Sequence, residues 1–185
     1  MIDSTTINLF KAILKAAGRN PIDGKKKGGI KAHVLLSAQE NMPTLVRYSS
    51  AARRDKNFLK HIDLVKGSIL AFDRAYNDYK QYARFTEDGI IFITKQKINA
   101  VYEVGESFVI PNKTVNGVQK DEEIFLTYTE DKQEKKLRVR RIEYIDKLTD
   151  KTLVFITKSF ELTVLDVADI YKKRWQLLSI SQIPY

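Results

Sequence analysis

Two carboxylates and a phenol–guanidinium pair are the residues of this chain best suited to chemistry. Asp3 stands in Ile-Asp-Ser-Thr-Thr-Ile at residues 2–7, and Asp73 directly follows a short apolar run over residues 68–72. Carboxylates that converge from separate elements can hold a hard divalent cation such as Mg2+, which takes oxygen ligands and keeps several waters. Tyr171 and Arg174 lie three residues apart in the last helical stretch, hence on one helix face. With the adjacent Lys172 and Lys173, they can contact phosphate by charge and hydrogen bonds. Each residue also has an ordinary structural use. An Asp can cap a turn, a Tyr can fill a core, and a basic helix end complements the helix dipole.

Other candidates carry less. Lys25, Lys26 and Lys27 sit between glycines and suit either a phosphate backbone or a solvated loop. They are not a nucleotide-binding P-loop, because the Gly-Lys-Ser/Thr ending is missing. His33 and His61 have no matched spacing and read as structural. Trp175 reads as a core residue rather than a base-stacking platform. Asn112-Lys113-Thr114 fits a glycosylation sequon, but nothing else points to secretion.

The elements that must position these residues can be read from periodicity and punctuation. Residues 20–29 form the clearest loop, with Pro and three Gly in a polar run. Residues 30–37 and 43–49 read as strands joined by a turn at Gln39-Glu40-Asn41. Residues 53–62 read as a helix with Phe58, Leu59 and Ile62 inward. A strand over 68–72, a helix over 77–85 and a buried strand over 90–94 follow. From residue 99 to 158 no helical period is convincing, and 124–128 and 152–156 read as strands. Leu137 and Val139 alternate with basic residues, but Ile142 and Tyr144 resume the alternation out of phase, which predicts a β-bulge or bend at Arg141. The last helix opens with Thr163 and Asp166 as a capping box. Val164, Leu165, Val167, Ala168, Tyr171 and Trp175 form its apolar face.

Composition sets the frame. At 185 residues with 43% hydrophobic and 30% charged side chains, the chain suits one domain, or one domain with an insertion. The absence of cysteine excludes disulfides and thiolate metal sites and fits a reducing compartment. No apolar run approaches the roughly 18–20 residues of a membrane span, and the first residues do not form a signal peptide, so the expectation is a cytoplasmic protein with no membrane partner. The formal charge of +9 favours a polyanionic partner, most simply nucleic acid. Residues 132–141 alone hold six Lys/Arg against one Glu, and residues 1–35 hold seven against two Asp. Positive charge is therefore expected on loops and exposed strands.

Three stretches then carry a resemblance. Asp3-Ser4-Thr5-Thr6, Asp73-Arg74-Ala75-Tyr76 and Tyr171-x-x-Arg174 resemble, in this order, the signatures of bacterial insertion-sequence DDE transposases of the insertion-sequence-four family. The likeness runs from residue 2 to about residue 176. It implies an α/β, ribonuclease H-like mixed sheet with flanking helices and a β-rich insertion before the last helix. The catalytic domain would comprise 1–97 and 161–185, and the insertion 98–160. It further implies DNA strand cleavage and strand transfer on transposon ends and target DNA, and a possible homodimer in an intact relative. Asp3 and Asp73 would ligate Mg2+ or Mn2+ in a two-metal site with ions about 4 Å apart. Tyr171 and Arg174 would serve in catalysis, and Lys25, Lys26, Lys27, Lys172, Lys173 and Arg174 on DNA.

The sequence departs from the family pattern at its end. That pattern runs Tyr, two residues, Arg, three residues, Glu, six residues, Lys, which places the Glu at 178 and the Lys at 185. Here those positions are Leu178 and Tyr185. Asp169 does not substitute, being half a turn out of phase with position 178 and about 13 Å away along the axis. Arg54-Asp55 also stands where relatives often have His-Asp. The expectation is a transposase fragment, short at its N-terminus and diverging after Gln176, whose catalysis is absent or severely impaired. A non-catalytic basic DNA-binding remnant is the alternative, and a poorly folding product with no function is a third.

Overall fold

The computed structural model describes residues 1–8, 29–110 and 117–180, with side chains at 7, 8 and 175–180 left aside. The chain divides into two compact units, Met1–Ile62 and Asp63–Tyr185.

The first unit is a three-stranded antiparallel sheet in sequential order, β1 (Ile2–Asn8), β2 (Gly29–Ser37) and β3 (Met42–Ser50). The turn expected at 39–41 closes the β2–β3 hairpin, with Asn41 in the left-handed region that a short polar side chain tolerates. The ladder shifts register between Leu35 and Leu36, opposite Pro43. Proline has no N–H to donate and is admitted to strands at such irregularities. The helix expected over 53–62 is a 3-10 helix, Asp55–His61, and its inward residues are those expected: Phe58, Leu59 and Ile62 are all buried. Asn57 N–H donates to Arg54 C=O at 3.2 Å and Ile62 N–H to Leu59 C=O at 3.2 Å, the tighter i to i+3 pattern of short helices. His33 stacks on Phe58 with ring centroids 5.1 Å apart, and its Nε2 meets Ser49 Oγ at 3.0 Å. Both contacts fit the structural reading of this histidine.

The second unit is a six-stranded sheet in the order β4 (Ile69–Phe72), β5 (Ile91–Lys95), β9 (Lys151–Thr157), β8 (Gln133–Asp146), β7 (Val118–Glu130) and β6 (Glu103–Ser107). Strands β4 and β5 are parallel and every other neighbouring pair is antiparallel. Between β4 and β5 runs α1 (Tyr79–Glu87), whose N-cap Asp78 accepts from Gln81 N–H and which ends at Gly89 with φ +71°. The last element is α2 (Val164–Ile180). Its start is the expected reciprocal cap: Thr163 Oγ1 accepts from Asp166 N–H at 3.1 Å, and Asp166 Oδ2 accepts from Thr163 N–H at 3.2 Å.

Strand register explains how both helices find a partner. Phe72, Phe92, Thr94, Ile156, Val139 and Ile124 fall on one sheet face, where Tyr82 of α1 stacks on Phe92 at 4.7 Å and meets Phe72 at 5.5 Å. Ile93, Phe155, Ile142, Tyr144 and Val118 fall on the other and pack against Val167, Ala168 and Tyr171 of α2. Helices thus cover both faces, and Leu165, expected in the apolar face of α2, is exposed.

This layering also overturns the bulge expected at Arg141. β8 pairs without interruption on both sides there, and the irregularity lies on β7 between Val118 and Lys120. The alternation changes phase because the buried face changes, not because the backbone slips. Leu137 and Val139 face the α1 side, Ile142 and Tyr144 the α2 side, and Arg140 and Arg141 are buried by ion pairing. Among the described residues no helix is long and apolar enough to cross a membrane.

Candidate functional site

Asp73 owes its position to the strand before it. Leu70, Ala71 and Phe72 are buried, so β4 is fixed, and its first residue past the end is an acid in extended conformation. Asp73 Oδ1 accepts from Ala75 N–H at 3.2 Å and caps the 3-10 turn Arg74–Tyr76. The turn-cap reading of Asp73 is therefore correct, and it accounts for only one of the two carboxylate oxygens.

Oδ2 takes the rest. Arg174 Nη2 donates to it at 3.1 Å and the Tyr171 hydroxyl at 3.4 Å, bridging 98 and 101 residues of sequence. Arg174 Nη2 also reaches the Tyr171 hydroxyl at 3.5 Å, and its guanidinium lies 5.2 Å from the Tyr171 ring centre. Tyr171 and Arg174 are each 1% exposed, whereas the Asp73 side chain is 32% exposed. The carboxylate is thus the solvent-facing member of a cluster whose cation is buried. Tyr171 leans on Phe155 at 5.2 Å, which ties the helix face to the sheet. Burial, helped by the Asp73 charge and opposed by Arg174, pushes the Tyr171 phenol up to about 12, so it is a neutral donor at pH 7.

A fourth member was missed in the sequence. Lys95 ends β5, the parallel neighbour of β4, and its ammonium lies 5.2 Å from the Tyr171 ring centre. Burial lowers its pKa, the Asp73 charge opposes that, and Arg174, Arg74 and Lys151 reinforce it. The available signal was its place: a lysine closing a buried apolar strand, beside a strand closed by Asp73. In open α/β sheets ligands collect at the carboxyl ends of strands.

Asp3 lies on β1 of the first unit, half-buried and opposite Val34. Lys172 is engaged with Asp146 at 3.1 Å and lies over the Tyr144 ring at 5.3 Å; Lys173 is exposed. Lys25, Lys26 and Lys27 lie outside the described residues, as does Tyr185.

The basic run 132–141 does not form the open positive surface expected of it. It pairs with β7, which carries Asp121-Glu122-Glu123. Arg140 forms a two-pronged contact with Asp121 at 2.7 and 2.6 Å, and Arg141 meets Glu122 at 3.0 Å and Glu143 at 3.1 Å. Arg138 pairs with Glu123, Lys135 with Glu130 and Lys136 with Glu103. Antiparallel pairing brought opposite charges side by side.

The second unit by itself does not complete a metal site around Asp73. A divalent cation needs several oxygen ligands, with two or three carboxylates in a two-metal site. Within the second unit Asp73 faces a guanidinium, a phenol and an ammonium, and among the described residues no three His, Cys, Asp or Glu side chains gather to hold a metal. Position 178 follows Arg174 by four residues within α2, hence on the same helix face, and its leucine has no oxygen to offer.

Comparison with known proteins supports the resemblance to insertion-sequence transposases. Residues 1–177 match the family described as Transposase DDE domain. Over 175 residues the chain is 26% identical to a probable transposase for insertion sequence element IS5377 of Geobacillus stearothermophilus, covering 95% of this chain and 44% of that protein. Over 188 residues it is 24% identical to the putative transposase y4zB of Sinorhizobium fredii (strain NBRC 101917 / NGR234), covering 96% of this chain and 48% of that one. The chain spans a little under half the length of these curated relatives.

Proposed function

The chain belongs to the transposase DDE domain family, and from that premise we propose that it engages DNA without carrying out metal-dependent strand cleavage and transfer. The observation that carries this reading is the Asp73 cluster. Tyr171 and Arg174 close on Asp73 at 3.4 and 3.1 Å, and the third acid of the resembled pattern is replaced by Leu178. Asp3 and Asp73 are the two carboxylates left for Mg2+ or Mn2+, and Asp73 is already neutralised by Arg174.

In this reading residues 1–97 and 161–185 form a ribonuclease H-like frame of the insertion-sequence-four kind, and 98–160 a β-rich insertion. DNA is held by charge, which the formal +9 favours. Arg174 and Tyr171 hold Asp73 at the strand end, their donors engaged on its carboxylate. The test is fluorescence-anisotropy binding of a duplex carrying a matching transposon end, in EDTA and in Mg2+. The expected result is equal affinity in both, falling steeply with salt. Binding that appears only with metal, or no binding at low salt, would overturn the proposal.

A further inference from the structure

We infer that the cavity beside Asp73 is a phosphate-binding site built by Arg74, Lys95 and Lys97, which takes one phosphate group without a metal ion. The cavity has a volume of about 460 Å³, and among the described residues no Asp or Glu lines it. Its wall includes Arg74, Lys95, Lys97, Arg141 and Tyr102. Arg141 is already satisfied by Glu122, Glu143 and Gln96. Among the described residues no carboxylate stands within ion-pair distance of the other three cations.

Position and charge agree. Arg74 follows Asp73 directly and Lys95 ends the neighbouring parallel strand, so both stand at the carboxyl ends of β4 and β5. The charge counted along β8 is spent on β7, whereas here cations outnumber acids. A concave site with surplus positive charge attracts an anion. Asp73 does not line the cavity, and one of its carboxylate oxygens is taken by Arg174 and Tyr171. The polarity is thus the reverse of a two-metal centre, where acids outnumber cations and the metal carries the positive charge.

The proposal rests on the DNA-engagement reading for the source of the phosphate, a phosphodiester of one strand; free inorganic phosphate offers the same chemistry. Two probes separate them, both in EDTA on the full chain. The first is the same duplex, titrated across salt against wild type, Lys95→Gln, Lys97→Ala and Lys136→Ala. The second is inorganic phosphate against chloride at matched ionic strength, read as a thermal shift. Lys95→Gln and Lys97→Ala should each weaken DNA binding severalfold and reduce the slope of log K against log salt by about one. Lys136→Ala, whose lysine is paired with Glu103, should leave both unchanged. Lys97 is exposed, so its variant folds irrespective of the site. If wild type binds DNA and neither cleft variant weakens it, the site is refuted while DNA engagement stands. If wild type binds no DNA but phosphate stabilises it through Lys95, the site stands with free phosphate as ligand and the functional proposal falls. Neither kind of binding refutes both.

Discussion

Removing the charge of Asp73 should destabilise this protein even in the absence of any metal. In a metal centre built from several acids, losing one relieves repulsion in the empty site, so the sign of the effect separates two kinds of carboxylate. Here Asp73 accepts from a guanidinium that is 1% exposed and from Ala75 N–H. Asp73→Asn keeps a single acceptor oxygen. With it aimed at Arg174 and Tyr171, a charge-assisted hydrogen bond becomes a neutral one and the amide NH2 faces Ala75 N–H, a loss of at least about 1 kcal/mol after allowing for the carboxylate's partial exposure. Asp73→Ala also removes the turn cap and leaves the buried guanidinium without this carboxylate, for about 2–3 kcal/mol in total. For a chain of this size those figures correspond to Tm decreases of about 2–4 °C and 4–12 °C. Thermal melts by circular dichroism in EDTA supply the test. An unchanged or raised Tm for Asp73→Ala would refute the role assigned to the cluster.

Three further outcomes follow from the same contacts. The Tyr171 phenol is raised above its ordinary value of 10.0 to about 12, so its stabilisation is complete below pH 10 and lost as pH rises to 12, by about 2–3 kcal/mol. Tyr171→Phe should flatten stability in that window relative to wild type in an alkaline denaturation series, and an identical pH slope would contradict the assignment. Arg140→Ala strands Asp121 and frees Leu162 C=O, which Arg140 Nη1 contacts at 2.6 Å, and should cost about 3–5 kcal/mol in urea unfolding; a loss below 1 kcal/mol would show the pair to be inert. Leu178→Glu should create a stabilisation by Mg2+ that wild type lacks, about 1–2 kcal/mol at roughly ten times the Kd, and no metal-dependent shift in its melt would count against position 178 as the missing ligand.

What the sequence made legible was local. Thr163 and Asp166 announced the start of α2 through a cap that needs only four residues. Asp73, Tyr171 and Arg174 stood out through their resemblance to the transposase signatures, with three-residue spacing putting the last two on one helix face. What stayed hidden depended on which strands become neighbours. Lys95 gains meaning only once β5 lies beside β4, and the cations of β8 lose theirs once β7 brings three acids alongside. The expected bulge at Arg141 failed for the same reason: alternation records which face is covered, and here helices cover both. Residues 53–62 showed the right inward side chains but not the tighter 3-10 winding, because Phe58, Leu59 and Ile62 satisfy either period over so short a span.

The most direct measurement is nicking of a duplex carrying a matching transposon end, in Mg2+ and in Mn2+, by wild type beside Asp73→Ala. The account predicts that wild type leaves the DNA as intact as the variant does. Metal-dependent nicking by wild type that disappears in Asp73→Ala would contradict it.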